Sequence, residues 1–423
     1  NNQTGSTLSS FGVDFDLITA KHTKIPTKNC VVAMAQTFKN RIKKEEWVEW
    51  LKTIDLFVID EAHIQDYNFL FESHLLDDKY VLGFTATPIR CGKQRQLGLD
   101  YSVIVNGVSV KELLDLEFLV PADHYTLDAP DLSKIGIEST TGDYKQKQMS
   151  EAFDNPKRYD GVIDNYNKLC PSTKSICFCC SQTHAIQTCI EFNKAGIKSK
   201  YLISGLSKSD DGYDLYQSTK HLTGDRSEIL KEFKNGDFDI LVNAAILTTG
   251  FDEPSIETVI VNRATLSLAL WLQMIGRGSR IYKSSLGDKK TKFNVLDFGN
   301  NVSRHGLYET DRRWGLWHET KEGGGVAMTK ECPVFETDTN GKNGCGMIIH
   351  MGYPKCPFCG YQFSTPEELR IVELKKIIGG NFRFRDMTPT QLQAYAELNG
   401  KSKHWVYRLL YEGADDRHKF VKG

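Results

Sequence analysis

The chain has 423 residues, too many for one hydrophobic core, and its length predicts two or three domains. Its 53 Lys and Arg against 54 Asp and Glu leave a formal charge of -1, which excludes a global field drawing in nucleic acid and leaves such binding to local patches. No apolar run is long enough to span a bilayer and no signal-peptide pattern follows Asn1, so the expectation is a soluble, cytoplasmic protein with no membrane partner.

The first 28 residues are polar and weakly periodic. Cys30-Val31-Val32-Ala33-Met34-Ala35 then predicts a strand, followed by a helix opening on Gln36-Thr37-Phe38 and carrying Lys39, Arg41, Lys43 and Lys44. Such a first turn can offer backbone N–H donors to a phosphate, while a basic solvated face is the plainer reading. Next, Leu56-Phe57-Val58-Ile59 runs into Asp60-Glu61-Ala62-His63. The apolar run predicts a buried parallel strand that delivers the two carboxylates to its carboxyl end, where ligands bind in open α/β sheets. Adjacent carboxylates there suit nucleotide hydrolysis: Asp60 can hold Mg²⁺ through water, and Glu61 can take a proton from an attacking water. Val81-Leu82-Gly83-Phe84 is the next strand, and it ends in Thr85-Ala86-Thr87-Pro88. Its threonines could hydrogen-bond Asp60 if the two strands are neighbours.

Residues 101–156 give mixed signals and read as a connection between lobes. A second α/β unit follows, with Ser175-Ile176-Cys177-Phe178-Cys179-Cys180 as a strand and a helix from Thr183 to Asn193. The three cysteines there lack ligand spacing and read as buried strand thiols. Asp225 and Glu228 fit a capping box on a helix with the apolar stripe Ile229, Leu230 and Phe233, ended by Gly236. Strands are expected at 239–245 and 258–261, and a helix at 267–274 delivers Gly276-Arg277-Gly278-Ser279-Arg280. Two arginines three apart can reach from a helix end toward a phosphate.

Four of the eleven cysteines fall near the C-terminus, as Cys332, Cys345 and the compact Cys356-Pro357-Phe358-Cys359-Gly360. This predicts a closed tetrathiolate site suited to structural Zn²⁺, in a reduced compartment. Beyond it a helix is expected at 365–378. Asn381-Phe382-Arg383-Phe384-Arg385 alternates rings with guanidiniums, which suits either base stacking with phosphate contact or an edge strand with an apolar inner face.

The ordered set Asp60-Glu61-Ala62-His63, Thr85-Ala86-Thr87-Pro88, Thr249-Gly250-Phe251-Asp252 and Gln273-Met274-Ile275-Gly276-Arg277-Gly278-Ser279-Arg280 resembles motifs II, III, V and VI of superfamily 2 helicases. Within them, Val295-Leu296-Asp297-Phe298-Gly299-Asn300-Asn301 and the residues through Gly306 look like the RadD-type bacterial and phage helicases, with UvsW-type enzymes as relatives. The resemblance implies an α/β fold of two tandem RecA-like parallel-sheet lobes, at 1–155 (N-terminally incomplete) and 156–315, then a zinc-binding segment at 316–365 and a helical tail at 366–423.

It also implies an ATP-dependent, Mg²⁺-requiring helicase acting on forked, branched or single-stranded DNA in recombination, repair or replication. Asp60 would hold Mg²⁺ and Glu61 would be the catalytic base. Arg277 and Arg280 would act as arginine fingers, Gln273 and His63 would couple the lobes, and Gly250 and Asp252 would meet the nucleotide. Gln36, Thr37 and Thr249 would line the DNA strand, with Arg41 beside them. A GxxxxGK[ST] phosphate loop does not precede the acidic motif, so the expectation is a truncated lobe whose loop lies upstream of Asn1. The alternatives are an RNA helicase, the motor subunit of a restriction system, or a DNA-binding adaptor with a dead motor.

Overall fold

The computed structural model describes residues 2–90, 95–126, 132, 135–244, 246–247, 251–284, 287–310, 312, 314–317, 329–332, 341–344, 348–350, 355–356, 359–362 and 375–376. They form two compact units. The first comprises described residues of Asn1–Gly107, Glu138–Asp143 and Arg313–Lys321, and the second those of Val108–Ile137, Tyr144–Arg312 and from 322 onward.

The first unit opens with α1 (Asn2–Ser10), β1 (Asp16–Ile18), β2 (Val31–Ala33), α2 (Ala35–Arg41) and α3 (Glu45–Lys52). Glu45 and Glu46 stand in the first turn of α3, where their charge complements the helix dipole, and Trp47 and Leu51, four apart, turn one face inward. That face joins Ile18, Phe38, Leu70 and Leu76 in a core whose members are at most 5% exposed. The acidic strand β3 (Leu56–Asp60), helix α4 (Asn68–Glu72) and β4 (Tyr80–Phe84) complete the unit. β3 and β4 are parallel neighbours, with Asp60 opposite Phe84, as the placement of the threonine motif requires.

One expectation for β3 is corrected. The strand is parallel but not buried on both faces: Leu56, Val58, Tyr80, Leu82 and Phe84 are 49–78% exposed. These five lie at alternate positions of the two strands and so share a face, while Phe57 and Val81 on the other face pack against the core.

The second unit contains α5 (Val110–Asp115), β5 (Ala122–Thr126), α6 (Gln146–Phe153), α7 (Pro156–Leu169), β6 (Ser175–Cys179), α8 (Gln182–Lys194), β7 (Ser199–Leu202), α9 (Tyr213–Ser218) and α10 (Arg226–Asn235). There follow β8 (Ile240–Asn243), β9 (Thr258–Asn262), α11 (Leu268–Ile275), β10 (Phe293–Asp297), α12 (Asn301–His305), β11 (Thr329–Glu331), β12 (Ile348–His350) and β13 (Lys375–Lys376). Its seven-stranded sheet has the order β13-β5-β10-β9-β6-β8-β7 and is parallel except at β13. The inner strands β6, β8 and β9 are buried at every position, which explains their uninterrupted apolar runs. Cys177, Cys179 and Cys180 are core thiols, as expected. Asp225 caps α10 by accepting the Ser227 N–H, and Gly236 ends it at φ +83°.

The structure moves the boundary between units. Val108–Ile137, read from sequence as connection, falls in the second unit because β5 pairs with β10 along five residues, Ala122↔Phe293 to Thr126↔Asp297. The helix expected at 365–378 is corrected where the structure describes it: Lys375 and Lys376 form β13 and pair antiparallel with Tyr125 and Thr126 at the sheet edge, and the rest of that range and the tail beyond it lie outside the described residues. Among the described residues no helix is long and apolar enough to cross a membrane.

Candidate active site

In the first unit, β3 ends at Asp60 and the chain turns at once. Glu61 takes a left-handed φ of +51°, its N–H donates to Asp60 Oδ1 at 2.9 Å, and its carbonyl accepts the Ile64 N–H at 2.8 Å. The Ala62 N–H meets the Phe84 carbonyl at 2.9 Å, tying the turn to the end of β4. Asp60 is exposed and the Glu61 side chain 33% exposed, so both carboxylates reach solvent at the carboxyl end of a parallel pair. The acidic residues thus stand where the sequence placed them.

The threonine motif does something different from the expected contact with Asp60. Thr85 Oγ1 accepts the Thr87 N–H at 3.0 Å and is hydrogen-bonded to His63 Nδ1, 2.8 Å away. Burial, aided by the Arg90 charge, holds the His63 imidazole below its ordinary pKa and therefore neutral. A neutral ring carries no charge for Glu61 Oε2 at 3.4 Å, so His63 and Glu61 are not an ion pair. Behind this turn lies a residue the sequence did not single out. Arg90, its side chain 2% exposed, donates to the carbonyls of Ala62 (2.8 Å) and His63 (3.1 Å) and pairs with the buried side chain of Asp100 at 2.6 Å.

Gln36 and Thr37 stand in the first turn of α2, exposed and half-buried, and Arg41 lies in its last turn over the Trp47 ring, 5.6 Å from the centroid. Stacking of this kind does not consume the guanidinium's hydrogen-bond donors.

In the second unit, Ser267 caps α11 by accepting the Leu270 N–H at 3.2 Å. Gln273 sits half-buried on this helix, which ends at Gly276. Arg277 donates to the Phe251 carbonyl, and Arg280 pairs with Asp252. Two of the expected nucleotide-facing groups, Asp252 and Arg280, are therefore brought together within one unit. Lys290 fastens the same segments: its ammonium donates to the carbonyls of Pro254 (2.7 Å), Ile256 (2.9 Å) and Gly278 (2.9 Å). Gly278 is glycine for packing, because a Cβ there would meet the Phe293 ring at 2.3 Å. Thr249, Gly250, Arg383 and Arg385 lie outside the described residues.

Near the C-terminus the ligand atoms of Cys332, Cys356 and Cys359 all lie within 4.8 Å of one another, with 3.6 Å between the Sγ atoms of Cys332 and Cys359. That separation suits two thiolates on one tetrahedral Zn²⁺, for which bonds of about 2.3 Å set an edge of about 3.8 Å. Gly360 turns at φ +76°, its N–H donates to the Cys356 carbonyl, and the following Tyr361 N–H approaches Cys359 Sγ at 3.4 Å. These are contacts of the kind a zinc knuckle uses, with Pro357 and Phe358 outside the described residues. Cys345, the fourth expected ligand, lies outside the described residues.

The model of the helicase conserved C-terminal domain matches residues 162–282 of this chain, and that of the type III restriction enzyme, res subunit, matches residues 3–90. A 51.5 kDa protein of a Lactococcus phage (isolate 7-9) is 26% identical over 344 residues, covering 77% of this chain and 68% of that protein. Saccharomyces cerevisiae IRC3, named as a candidate ATP-dependent helicase, is 28% identical over 285 residues, which is 65% of this chain and 37% of IRC3. The chain thus spans little more than a third of that yeast relative. Among solved structures, a fragment of a candidate HsdR subunit of a type I restriction enzyme from Vibrio vulnificus YJ016 shares the fold, with a TM-score of 0.52 and 20% identity over 72% of this chain and 54% of that one.

Proposed function

We propose that this chain is a superfamily 2 helicase motor, part of an ATP-dependent enzyme that translocates on and unwinds DNA, with forked or branched DNA as substrate. The observation that carries the reading is the end of β3, where Asp60 and Glu61 reach solvent beside a neutral His63 hydrogen-bonded to Thr85, just past the end of the neighbouring strand β4. An exposed carboxylate in Asp60's place fits a hydrated Mg²⁺, which supplies charge neutralisation on the phosphates when bound. Glu61 is then the base that takes the proton of the attacking water. His63, neutral and joined to β4 through Thr85, passes the state of that turn to the neighbouring strand.

In the second unit Arg277 and Arg280 supply the guanidiniums for the γ-phosphate, and Asp252 holds Arg280 until a phosphate displaces it. Gln273 reads the state of the nucleotide, and Gly250 completes that side. Gln36, Thr37 and Arg41 on α2, with Thr249, carry the nucleic-acid backbone, and Arg383 and Arg385 extend the contact. The tail through Gly306 supports kinship with RadD-type and UvsW-type enzymes, hence a role in recombination, repair or replication. The match of residues 3–90 to the res subunit of type III restriction enzymes favours one second reading, the motor of a restriction system. The three converging thiols support a structural Zn²⁺ completed by Cys345.

Substitution of Glu61→Gln in the protein from its natural reading frame tests the first reading. ATP turnover falls to background while DNA binding is kept. Unchanged turnover removes Glu61 as the base, and stimulation by RNA in preference to DNA overturns the choice of substrate.

A further inference from the structure

The turn that presents Glu61 is held in a conformation its sequence resists. Glu61 is one of only five non-glycine residues with positive φ among the described residues, and a glutamate gains nothing local from the left-handed region, unlike an asparagine. Such a residue persists only where its surroundings over-determine it. Here they do so from two sides. Ala62 is wedged next to Gly83, where even a Cβ on the glycine would lie 2.8 Å from both the Ala62 Cβ and the Tyr101 ring. From behind, the Arg90 guanidinium spans the carbonyls of Ala62 and His63, the two residues that follow Glu61. Its position is set in turn by Asp100, whose carboxylate is shared with Arg95, and by the Arg95 carbonyl at 3.1 Å.

We propose that Arg90, braced by Asp100, is a positioning residue for Glu61: it holds the backbone of Glu61 in the left-handed region and thereby aims its carboxylate. The proposal deepens the reading of Glu61 as catalytic base and rests on it for its functional meaning, though the mechanical claim stands apart. Nothing else about Arg90 explains the arrangement as well. A guanidinium buried only to pack needs a carboxylate, whereas this one also spends its fork on two successive carbonyls of the turn.

The test is amide hydrogen exchange at Ala62 and Ile64, whose N–H groups close the turn, in the chain as it stands. Arg90→Lys keeps the charge against Asp100 but cannot reach both carbonyls, and it should accelerate exchange at these two amides at least tenfold while leaving the amides of α8 and β6 unchanged. The deciding comparison is the same substitution in a Glu61→Asn background. Asparagine accepts the left-handed region, so the acceleration should shrink to within about twofold.

Should Arg90→Lys fail to fold, Asp100→Asn replaces it; it leaves the guanidinium but removes its anchor, with the same dependence on residue 61 expected at reduced size. Equal acceleration in both backgrounds would show a brace indifferent to Glu61 and overturn the proposal, as would no acceleration in either. Neither outcome depends on ATP turnover, so a failure of Glu61 as base in the Glu61→Gln experiment remains distinguishable from a failure here.

Discussion

The guanidinium of Arg280 is paired with the carboxylate of Asp252, joining the ends of two sequence motifs across the loops that follow β8 and α11. The pair is partly open to solvent, with side chains 36% and 49% exposed, and a pair of that exposure is worth about 1 kcal/mol or less. Asp252 therefore orients Arg280 without trapping it. A phosphate carrying more charge and three acceptor oxygens competes effectively for the same fork. Arg280→Ala should lower the hydrolysis rate on the order of 10³-fold, as loss of an arginine finger does, with a much smaller change in ATP affinity. Single-turnover hydrolysis alongside nucleotide binding measures the split, and equal loss of both would make Arg280 a binding group only.

The thiol cluster gives a prediction independent of turnover. Cys332 and Cys356 are buried and Cys359 half-buried, and their ligand atoms converge to within 4.8 Å, the spacing that ligands of one ion require. Freshly purified protein should carry one Zn²⁺ per chain, measured by elemental analysis. Cys356→Ser should reduce that stoichiometry and expose the remaining thiols to labelling, because a structural site binds through deprotonated sulfur and loses much of its affinity with one ligand. A stoichiometry near zero would remove the site.

The motifs were legible because each is a short string tied to a strand or helix end: Asp60 and Glu61 follow an apolar run, and Arg277 and Arg280 follow the apolar α11 capped by Ser267. What escaped depends on partners distant in sequence or on polar residues in a core. β5 reads as a loop because Ala122-Asp123-His124-Tyr125-Thr126 lacks an apolar run, yet it belongs in the sheet. Glu309 accepts the Ala122 N–H at 3.1 Å and lies 3.5 Å from the buried His124 ring. Arg90 escaped because two residues past Thr-Ala-Thr-Pro it looks like a surface arginine, and only the fold brings Asp100 and the Ala62 and His63 carbonyls around it. Nothing in the sequence around Gly278 shows that the Phe293 ring is what excludes a side chain there.

The open face of β3 and β4 carries its own consequence. Val58 and Leu82 are directly opposite in register and 61% and 50% exposed, so they contribute little burial to the unit while adding to a contiguous apolar patch. Val58→Thr with Leu82→Thr keeps strand propensity and should change stability by less than about 1 kcal/mol, since exposed substitutions away from packed features are usually small. The same pair should reduce self-association of this chain, read by light scattering across a concentration series. A large loss of stability would show that the face is covered in solution.

Lys290 supplies a pH-dependent contribution to stability whose sign can be fixed. Burial lowers its ammonium from 10.5 to about 8; Arg280 pushes in the same direction, while Glu257 and Glu253 oppose it. Below about pH 8 both folded and unfolded chains carry the charge, and the folded one bears the full cost of keeping it partly out of water. Between about pH 8 and 10.5 the unfolded chain binds more protons than the folded one at this site, so this contribution to stability rises with pH through that window. The amine still has protons for two of the three carbonyls of Pro254, Ile256 and Gly278, so the clamp loosens without falling apart. Lys290→Met leaves all three carbonyls without that donor and should both lower stability at pH 7 and abolish this component of the slope. Urea denaturation of wild type and variant from pH 7 to 10.5 isolates it as a difference, free of the tyrosines and cysteines that titrate in both. A difference that stays flat across the window would mean that Lys290 keeps an ordinary solvated ammonium and does not carry the clamp.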